Sequence, residues 1–313
     1  MALHMVTGGA GFIGSHITRR LLERGDTVRI FDDFSTGKQA NLSGIEKDVE
    51  VVVGDLRDPD ALKRAAKGCE VIFQQAALRS VPRSIDDPLA NNDVNVTGIL
   101  NVLIAAKTND CRRVVYASSS SIYGDDPTLP KVETQTPKPL SPYGASKIMG
   151  EYYARIYTEL FGLETVSLRY FNVFGPRQDP ESKYAAVIPR FITLACAGEP
   201  VEVHGDGMQS RDFTYVDNVA MANLLAADAP HASGQAINVA CGDRFTLLDV
   251  LTAVEECLGK KIERIHEPSR PGDVPHTQAD ITRARELLGF KPIVSFEEGM
   301  KRTVAWFREQ PGA

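Results

Sequence analysis

A glycine-rich turn between an apolar strand and an amphipathic helix is the feature that most restricts the fold of this chain. The string Thr7-Gly8-Gly9-Ala10-Gly11-Phe12-Ile13-Gly14 joins the predicted strand Leu3–Val6 to the predicted helix Phe12–Arg24. Glycines at positions 8, 11 and 14 allow a tight turn, close approach of a pyrophosphate and close packing of the helix on the strand. Asp32 ends the next predicted strand, about 20 residues further on, where a carboxylate binds ribose hydroxyls. Together these features predict a dinucleotide-binding turn.

A second carboxylate indicates which dinucleotide is bound. Asp33 follows Asp32 directly, and no arginine is adjacent to the pair. Two carboxylates would repel the 2′-phosphate of NADP, so we expect NAD as the cofactor. Asp55 and Leu56, which follow the third predicted strand, are expected to contact its adenine.

Predicted strands and helices alternate along the first half of the chain. β-Branched runs predict strands at Leu3–Val6, Thr27–Phe31, Val49–Val53, Val71–Phe73, Arg113–Ala117 and Glu164–Leu168. Helical patterns fall between these runs and continue later, at Phe12–Arg24, Pro59–Ala66, Pro88–Ala106, Pro142–Phe161, Ala185–Ala197, Asn218–Ala227, Leu247–Leu258 and Ile281–Leu288. Such alternation predicts an α/β fold with a Rossmann-type doubly wound parallel sheet.

The pattern changes after Arg169, where glycine and proline become frequent and the predicted helices shorten. We therefore expect a NAD-binding Rossmann domain over residues 1–169. A smaller mixed α/β C-terminal substrate domain is expected over residues 170–313, with some later segments returning to the first domain.

Composition excludes several classes of partner. The net charge of −6 argues against a nucleic acid or an anionic membrane surface as the main partner. No apolar run reaches the roughly 18 residues of a membrane-spanning helix, and the first residues lack the pattern of a signal peptide. The 5 cysteines are scattered without a CxxC pair, which favours reduced thiols and a cytoplasmic location. The histidines lack ligand spacing, so no metal site is expected.

A tyrosine and a lysine four residues apart form a candidate catalytic pair. Tyr143 and Lys147 share one face of the predicted helix Pro142–Phe161. A phenol is a poor base at neutral pH, and a nearby ammonium would favour its phenolate. Four serines, 118–121, follow the predicted strand Arg113–Ala117, at the end of a parallel strand where ligands bind. A hydroxyl there would orient a substrate alcohol.

These motifs together resemble the extended short-chain dehydrogenase/reductases, and specifically the UDP-hexose 4-epimerases. The resemblance covers essentially the whole chain and is most detailed for the branch that prefers UDP-N-acetylglucosamine and UDP-N-acetylgalactosamine. It rests on the glycine turn, the serine cluster with Tyr143 and Lys147, and the strings Gln75-Ala76-Ala77, Ser80-Val81-Pro82-Arg83-Ser84, Arg169-Tyr170-Phe171-Asn172, Gly175-Pro176-Arg177-Gln178, Tyr184-Ala185-Ala186-Val187, Arg211-Asp212-Phe213 and Arg270-x-x-Asp273.

The resemblance implies a role for each matching residue. Tyr143 is the base, Lys147 tunes it and holds the nicotinamide ribose, and Ser119 binds the reacting hydroxyl. The cofactor is implied to contact Gly8, Gly11, Phe12, Ile13, Gly14, Asp32, Asp33, Lys38, Asp55, Leu56, Gln75, Ala76, Ala77, Asn95, Ser118, Tyr143, Lys147 and Tyr170. The UDP-sugar is implied to contact Arg79, Ser80, Ser119, Ser120, Ser121, Tyr143, Asn172, Gln178, Ala186, Val187, Arg211, Arg270, Asp273 and Thr277.

Two positions bear on the choice of sugar. Thr277 occupies the position that gates the C2 substituent in this family, where a small residue admits an N-acetyl group. Arg79 stands where the N-acetyl-specialised members carry a small residue, and a basic side chain there is usual in the glucose/galactose group. The resemblance therefore implies activity on N-acetylated hexoses together with plain UDP-glucose and UDP-galactose.

The implied reaction is a reversible oxidation and reduction at C4 of the sugar. NAD accepts the hydride, the resulting 4-keto sugar rotates to present its other face, and NAD returns the hydride. Activity on UDP-glucose alone and a UDP-glucuronate 4-epimerase remain alternatives, as does a catalytically silent NAD-binding regulatory protein. A 4,6-dehydratase is disfavoured because Ser120-Ser121-Ile122 replace the acids that elimination needs. The helices at Pro88–Ala106 and Pro142–Phe161 resemble those that pair in the family's homodimers, although they also suit sheet-covering helices.

Overall fold

A computed structural model describes residues 2–180, 186–268 and 274–310. The strands, numbered in chain order, are β1 (Leu3–Thr7), β2 (Thr27–Asp32), β3 (Val49–Val53), β4 (Val71–Gln74), β5 (Arg113–Ser119), β6 (Glu164–Tyr170), β7 (Val173–Phe174), β8 (Val201–His204), β9 (Ser210–Arg211), β10 (Thr214–Tyr215), β11 (Gln235–Val239), β12 (Phe245–Thr246) and β13 (Arg264–Glu267). The helices are α1 (Phe12–Glu23), α2 (Pro59–Ala65), α3 (Val81–Asp86), α4 (Pro88–Asn92), α5 (Gly98–Thr108), α6 (Pro142–Phe161), α7 (Val187–Ala197), α8 (Val216–Asp228), α9 (Leu247–Leu258), α10 (Thr282–Leu288) and α11 (Phe296–Arg308).

The main sheet confirms the Rossmann-type prediction. Its strand order is β11-β6-β5-β4-β1-β2-β3, and every neighbouring pair is parallel. The order β3-β2-β1-β4-β5-β6 is the doubly wound arrangement, in which ligands bind at the carboxyl ends of the strands. Strand β11 comes from the C-terminal part of the chain, so the chain returns to the main sheet after residue 170.

Alternating side chains of the strands build one apolar core on each face of the sheet. Val6 and Val115 face α1 and α8, whereas Met5 and Val114 face α2, α5 and α6. A third core, formed by α7, α9 and α11 with β8, lies in the C-terminal part. None of the helices in the described ranges combines the length and apolar character needed to cross a membrane.

The helix predicted as Pro88–Ala106 is divided in the structure. Helix α4 ends at Asn92, a π-helical turn occupies Asp93–Thr97, and α5 begins at Gly98. The side chain of Asn95, within this turn, donates to the carbonyl of Leu78 and accepts from its N–H. A π turn adds one residue to the helix and is common where a side chain has a special task.

The sequence prediction lacked the short strands after β6 and the helices α3 and α11, and two of the missing elements, β11 and α11, matter most for the packing. Strand β11 has only a short apolar run, because its residue Asn238 is polar. The buried side chain of Asn238 accepts a hydrogen bond from the Tyr123 hydroxyl. Helix α11 begins with a Ser295 cap and buries Phe296 and Val304, a helical spacing that the sequence carries. Gly299 within it packs against Tyr215 too closely for a side chain, which weakened the helical pattern.

Candidate active site

A cleft along the carboxyl ends of β1, β2, β4 and β5 collects most of the residues predicted to bind the cofactor. Measured out to its open mouth, it has a volume of about 1090 Å³. The predicted residues that line it are Gly8, Gly11, Phe12, Ile13, Gly14, Asp32, Asp33, Asp55, Leu56, Gln75, Ala76, Ala77, Arg79, Ser118, Tyr143, Lys147 and Tyr170. We refer to this space as the dinucleotide cleft.

The glycine turn leaves room that any side chain would fill. Gly8 has φ +67°, and a Cβ there would lie 2.7 Å from the backbone nitrogen of Ala76. A Cβ at Gly14 would collide with the carbonyl oxygen of Gly8, which already accepts from the N–H of Gly11 at 3.0 Å. The glycine turn lies directly before α1, where backbone N–H groups and the helix dipole favour binding of a pyrophosphate. The turn therefore fits a dinucleotide.

The carboxylate of Asp32 is fixed at the end of β2. It accepts from the N–H groups of Ala10 and Phe34, both at 2.9 Å. Burial raises the pKa of Asp32, and the two N–H donors act against that rise. Asp33 accepts hydrogen bonds from the N–H and the hydroxyl of Ser35, and both Asp32 and Asp33 line the dinucleotide cleft.

Helix α6 brings Tyr143 and Lys147 into the wall of the dinucleotide cleft. Ser141 caps the helix by accepting from the N–H of Gly144, and Pro142 occupies its first turn. The Nζ atom of Lys147 donates to the carbonyl of Ala117 at 2.8 Å and lies 5.8 Å from the Tyr143 ring centre. The helix approaches β5 closely because Gly150, which lies against the Tyr116 hydroxyl, has no side chain.

Burial dominates the acidity of Tyr143. It raises the pKa of the phenol, while a hydrogen bond with Ser119 and the charge of Arg79 lower it. The sequence predicted that Lys147 lowers the pKa of Tyr143. The Lys147 ammonium instead donates a hydrogen bond to the Ala117 carbonyl. Ser119 is thereby placed beside the phenol, and its contact with the reacting hydroxyl stays a prediction.

Lys147 is expected to make the stability of the protein depend on pH. Burial lowers its pKa from 10.5 to about 7. Between these two values the unfolded chain binds a proton that the folded chain releases, so stability rises with pH across this range. In protein freed of dinucleotide, the gain should be on the order of 2–4 kcal/mol relative to Lys147→Met. Urea denaturation at several pH values measures it, and parallel curves for the two proteins would contradict it.

A buried network of polar side chains links helix α6 to the sheet. Arg169 in β6 forms two hydrogen bonds to the Glu151 carboxylate in α6, at 2.9 and 2.7 Å. Glu151 also accepts from Ser118, and Arg169 donates to Tyr123, which donates to Asn238 of β11. The network ties α6 to three strands. Sequence reasoning missed Glu151, although it lies four residues after Lys147 on the same helical face.

A second cavity lies in the C-terminal part of the chain. It has a volume of about 780 Å³ to its mouth, and the predicted residues that line it are Asn172, Ala186, Val187 and Arg211. The Nδ2 atom of Asn172 donates to the hydroxyl of Thr277 at 3.2 Å, so the proposed gate lies next to this cavity. His204 and Gln209 also line it and were not predicted, because neither belongs to a recognisable motif.

Several predicted contact residues do not line either cavity. Lys38 pairs with Asp179 at 3.0 Å, and the Asn95 amide is used by Leu78 and by Ser146. Both side chains are turned to these protein partners, and neither residue is among those lining the dinucleotide cleft.

The remaining predicted contacts have local partners. Gln178 is buried and donates to the Val173 carbonyl, and Ser80 caps α3 by accepting from the N–H of Arg83. Ser119 donates to the hydroxyl of Ser121, beside Ser120. Arg270 and Asp273, like Tyr184 and Ala185 of the quoted motif, lie outside the described residues. Within the described ranges, no group of three or more His, Cys, Asp or Glu could hold a metal ion.

Comparison with known proteins adds independent evidence. The model of the NAD dependent epimerase/dehydratase family matches residues 4–240. The chain is similar to a UDP-N-acetylglucosamine 4-epimerase from Methanobrevibacter ruminantium M1, solved with UDP-N-acetylmuramic acid, at 42% identity and TM-score 0.94 over 98% of each chain.

Two further solved structures share the fold over nearly the whole chain. One is the UDP-glucose 4-epimerase of Thermus thermophilus in complex with NAD, at 39% identity and TM-score 0.89, covering 98% of this chain and 99% of that one. The other is the UDP-glucuronic acid 4-epimerase of Bacillus cereus with UDP-glucuronic acid and NAD, at 30% identity and TM-score 0.91, with coverage of 98% and 99%.

Proposed function

Because the chain belongs to the NAD-dependent epimerase/dehydratase family, with NAD as its cofactor, we propose that it interconverts the C4 epimers of a UDP-hexose. The observation that carries this proposal is that Tyr143 and Lys147 lie in the wall of the same cleft as the glycine turn and Asp32. A catalytic acid–base group and a redox cofactor are thereby brought to one site. The second cavity offers Arg211 and Asn172 to a UDP pyrophosphate.

NAD, when bound, supplies the oxidation and reduction at C4 of the sugar. The chain supplies the proton transfer and the grip on the substrate. Tyr143 takes the proton of the C4 hydroxyl and returns it to the epimer, and Ser119, its hydrogen-bond partner, orients that hydroxyl. A 4-keto sugar can present either face only if the diphosphate is held firmly while the sugar is held loosely. Arg211 and Asn172 provide the firm contact.

The preferred sugars are UDP-N-acetylglucosamine and UDP-N-acetylgalactosamine. Thr277 is small, and its backbone N–H is fixed by the carbonyl of Ser210 at 3.0 Å, so its position beside Asn172 is defined. A small side chain there leaves space for an acetamido group. Arg79, exposed in the dinucleotide cleft, supports additional activity on UDP-glucose and UDP-galactose. Its cationic group also suits a sugar carboxylate, which favours UDP-glucuronate as the alternative substrate.

A direct assay tests the proposed function. Purified protein is incubated separately with UDP-N-acetylglucosamine, UDP-glucose and UDP-glucuronate, and the C4 epimers are separated by chromatography. We expect epimers from the first two sugars, formed faster from the acetylated one. Conversion of UDP-glucuronate alone would support the alternative, and binding without conversion of any sugar would support a regulatory protein.

We also propose that two copies of the chain form a dimer through α4, α5 and α6. Several large apolar side chains are exposed on these helices, including Leu89 (77% exposed) and Leu160 (72%). Several exposed large apolar side chains on neighbouring helices favour an interaction surface. Sedimentation is expected to give a dimer of the 34.2 kDa chain, and Leu160→Lys should shift it to monomer. A wild-type protein that sediments only as monomer would contradict this proposal.

A further inference from the structure

The strand order of the main sheet indicates where each half of a dinucleotide belongs in the cleft. Asp32 ends β2 and the glycine turn follows β1, so the adenosine ribose and the pyrophosphate fit at these two strands. On the other side of β1 the order continues with β4, β5 and β6. The nicotinamide half of NAD therefore belongs at the ends of these three strands, where Tyr143 and Lys147 also line the cleft.

Gln75 and Tyr170 line this nicotinamide end from the two strands that flank β5. Gln75 directly follows β4, and Tyr170 is the last residue of β6, where it is the register partner of Ser119 in β5. The backbone N–H of Gln75 donates to the carbonyl of Thr7 at 3.2 Å, which fixes its main chain. The polar ends of the two long side chains find their common partner in α8.

That partner is Asn223, a fully buried residue of α8. Its Nδ2 atom donates to the Tyr170 hydroxyl at 2.8 Å, and its Oδ1 atom accepts from Nε2 of Gln75 at 3.2 Å. The Tyr170 hydroxyl lies 3.0 Å from the same Oδ1 atom and donates to Oε1 of Gln75 at 3.2 Å. The three side chains thus form a closed ring of hydrogen bonds, which we call the Gln75–Tyr170–Asn223 cluster.

Val219 sets the direction of the hydrogen bonds in this cluster. The Nδ2 atom of Asn223 also donates at 2.8 Å to the carbonyl of Val219, one turn earlier in α8, and a carbonyl oxygen can only accept. The oxygen of the Asn223 amide is therefore the end that meets Nε2 of Gln75, which leaves Oε1 of Gln75 for the Tyr170 hydroxyl. Burial raises the pKa of Tyr170, so this hydroxyl keeps the proton that it donates.

We propose that Asn223 is a positioning residue for the cofactor, because it fixes the side chains of Tyr170 and Gln75 in the wall that meets the nicotinamide half of NAD. Asn223 is not among the residues that line the dinucleotide cleft, so it acts through these two. Without its amide, both side chains lose a partner and can rotate into the cleft. Binding of the nicotinamide half should then weaken, whereas binding of the ADP-ribose half should not change. This role goes beyond the proposed function, since it concerns the cofactor and no particular sugar.

The test compares NAD with ADP-ribose, which lacks the nicotinamide. Full-length protein loaded with radiolabelled NAD is equilibrated with rising concentrations of ADP-ribose at a fixed total amount of NAD, and the label that stays bound is counted. The concentration that displaces half of the label should be about tenfold lower for Asn223→Leu than for the wild type, the typical effect of removing a buried hydrogen-bond partner. A general loosening of the cleft weakens both ligands alike and leaves this concentration unchanged.

Asn218→Leu is the matched control. Asn218 is also fully buried in α8, but its amide bonds to the main chain of Ile293 and Val294, which are not among the residues that line the cleft. The ADP-ribose concentration that displaces half of the label should equal that of the wild type in this variant. A shift as large as in Asn223→Leu would mean that any buried amide of α8 has this effect, and it would overturn the proposal.

Tyr170→Phe gives a second, milder reading of the same cluster, since it removes the shared hydroxyl and keeps the ring. It should lower the displacing concentration in the same direction, and it carries the test if Asn223→Leu does not fold. Combining the two substitutions should add little to either one, because both break the same ring of hydrogen bonds. If ADP-ribose displaces NAD equally well from the wild type, Asn223→Leu and Tyr170→Phe, the proposal is wrong. Failure of the epimerisation assay would leave this comparison intact.

Discussion

Replacing Tyr143 with phenylalanine is expected to lower the turnover number for UDP-N-acetylglucosamine by about a thousandfold, the typical contribution of a positioned acid–base group. The ring is retained, so the packing of α6 on β5 is preserved, and only the hydroxyl that bonds to Ser119 is lost. The KM should change little, because the proposed diphosphate contacts, Arg211 and Asn172, line the second cavity. Steady-state kinetics with chromatographic detection measures both quantities.

A matched control is available on the same helix. Tyr152 is 44% exposed on α6, and Tyr152→Phe removes a hydroxyl that does not face the cleft. It should keep near-normal turnover. If Tyr143→Phe epimerises at close to the wild-type rate while Tyr152→Phe does the same, Tyr143 is not the acid–base group and the proposed chemistry is wrong.

Enlarging the gate should change the choice of sugar. In Thr277→Tyr, an aromatic ring would occupy the space next to Asn172, where the Thr277 hydroxyl now accepts a hydrogen bond. The acetamido group at C2 needs that space, whereas a C2 hydroxyl does not. We expect kcat/KM for UDP-N-acetylglucosamine to fall on the order of a hundredfold, with UDP-glucose much less affected.

Thr277→Ser is the control for this substitution, since it keeps a small side chain and the hydroxyl that Asn172 contacts. It should retain the wild-type ratio of kcat/KM for the two sugars. Equal losses on both sugars in Thr277→Tyr would mean that the substitution distorts the site generally. Unchanged activity on the acetylated sugar would show that Thr277 does not bound the C2 pocket.

Local patterns predicted the sheet because its determinants are local. The glycine turn, the apolar strands and the cap at Ser141 each lie within a few residues of the structure that they specify. The break between α4 and α5 was not predictable in this way. It depends on Asn95 reaching Leu78, a residue brought near by the tertiary fold.

Local sequence patterns also predicted part of the site, whereas residues that depend on tertiary contacts were missed. Tyr143 and Lys147 were found because both lie on one turn of one helix. Glu151 and Asn223 were missed as supporting residues because their partners lie on other elements: Glu151 binds Arg169 of β6, and Asn223 of α8 bonds to Tyr170 and Gln75. A buried polar side chain on an apolar helix face is the signal that would have marked them. Lys38, which stays a predicted cofactor contact, pairs with Asp179, a partner far away in sequence.

We propose that Tyr143 and NAD act together on C4 of a UDP-hexose and that the same hydrogen is removed and returned there. The most direct measurement uses UDP-N-acetylglucosamine carrying deuterium at C4, converted in ordinary water and analysed by mass spectrometry and NMR. We expect the C4 epimer to keep its deuterium at C4, because hydrogen that is bonded to carbon throughout the transfer does not exchange with solvent. Epimer that has lost the deuterium, or conversion without change at C4, would contradict the account.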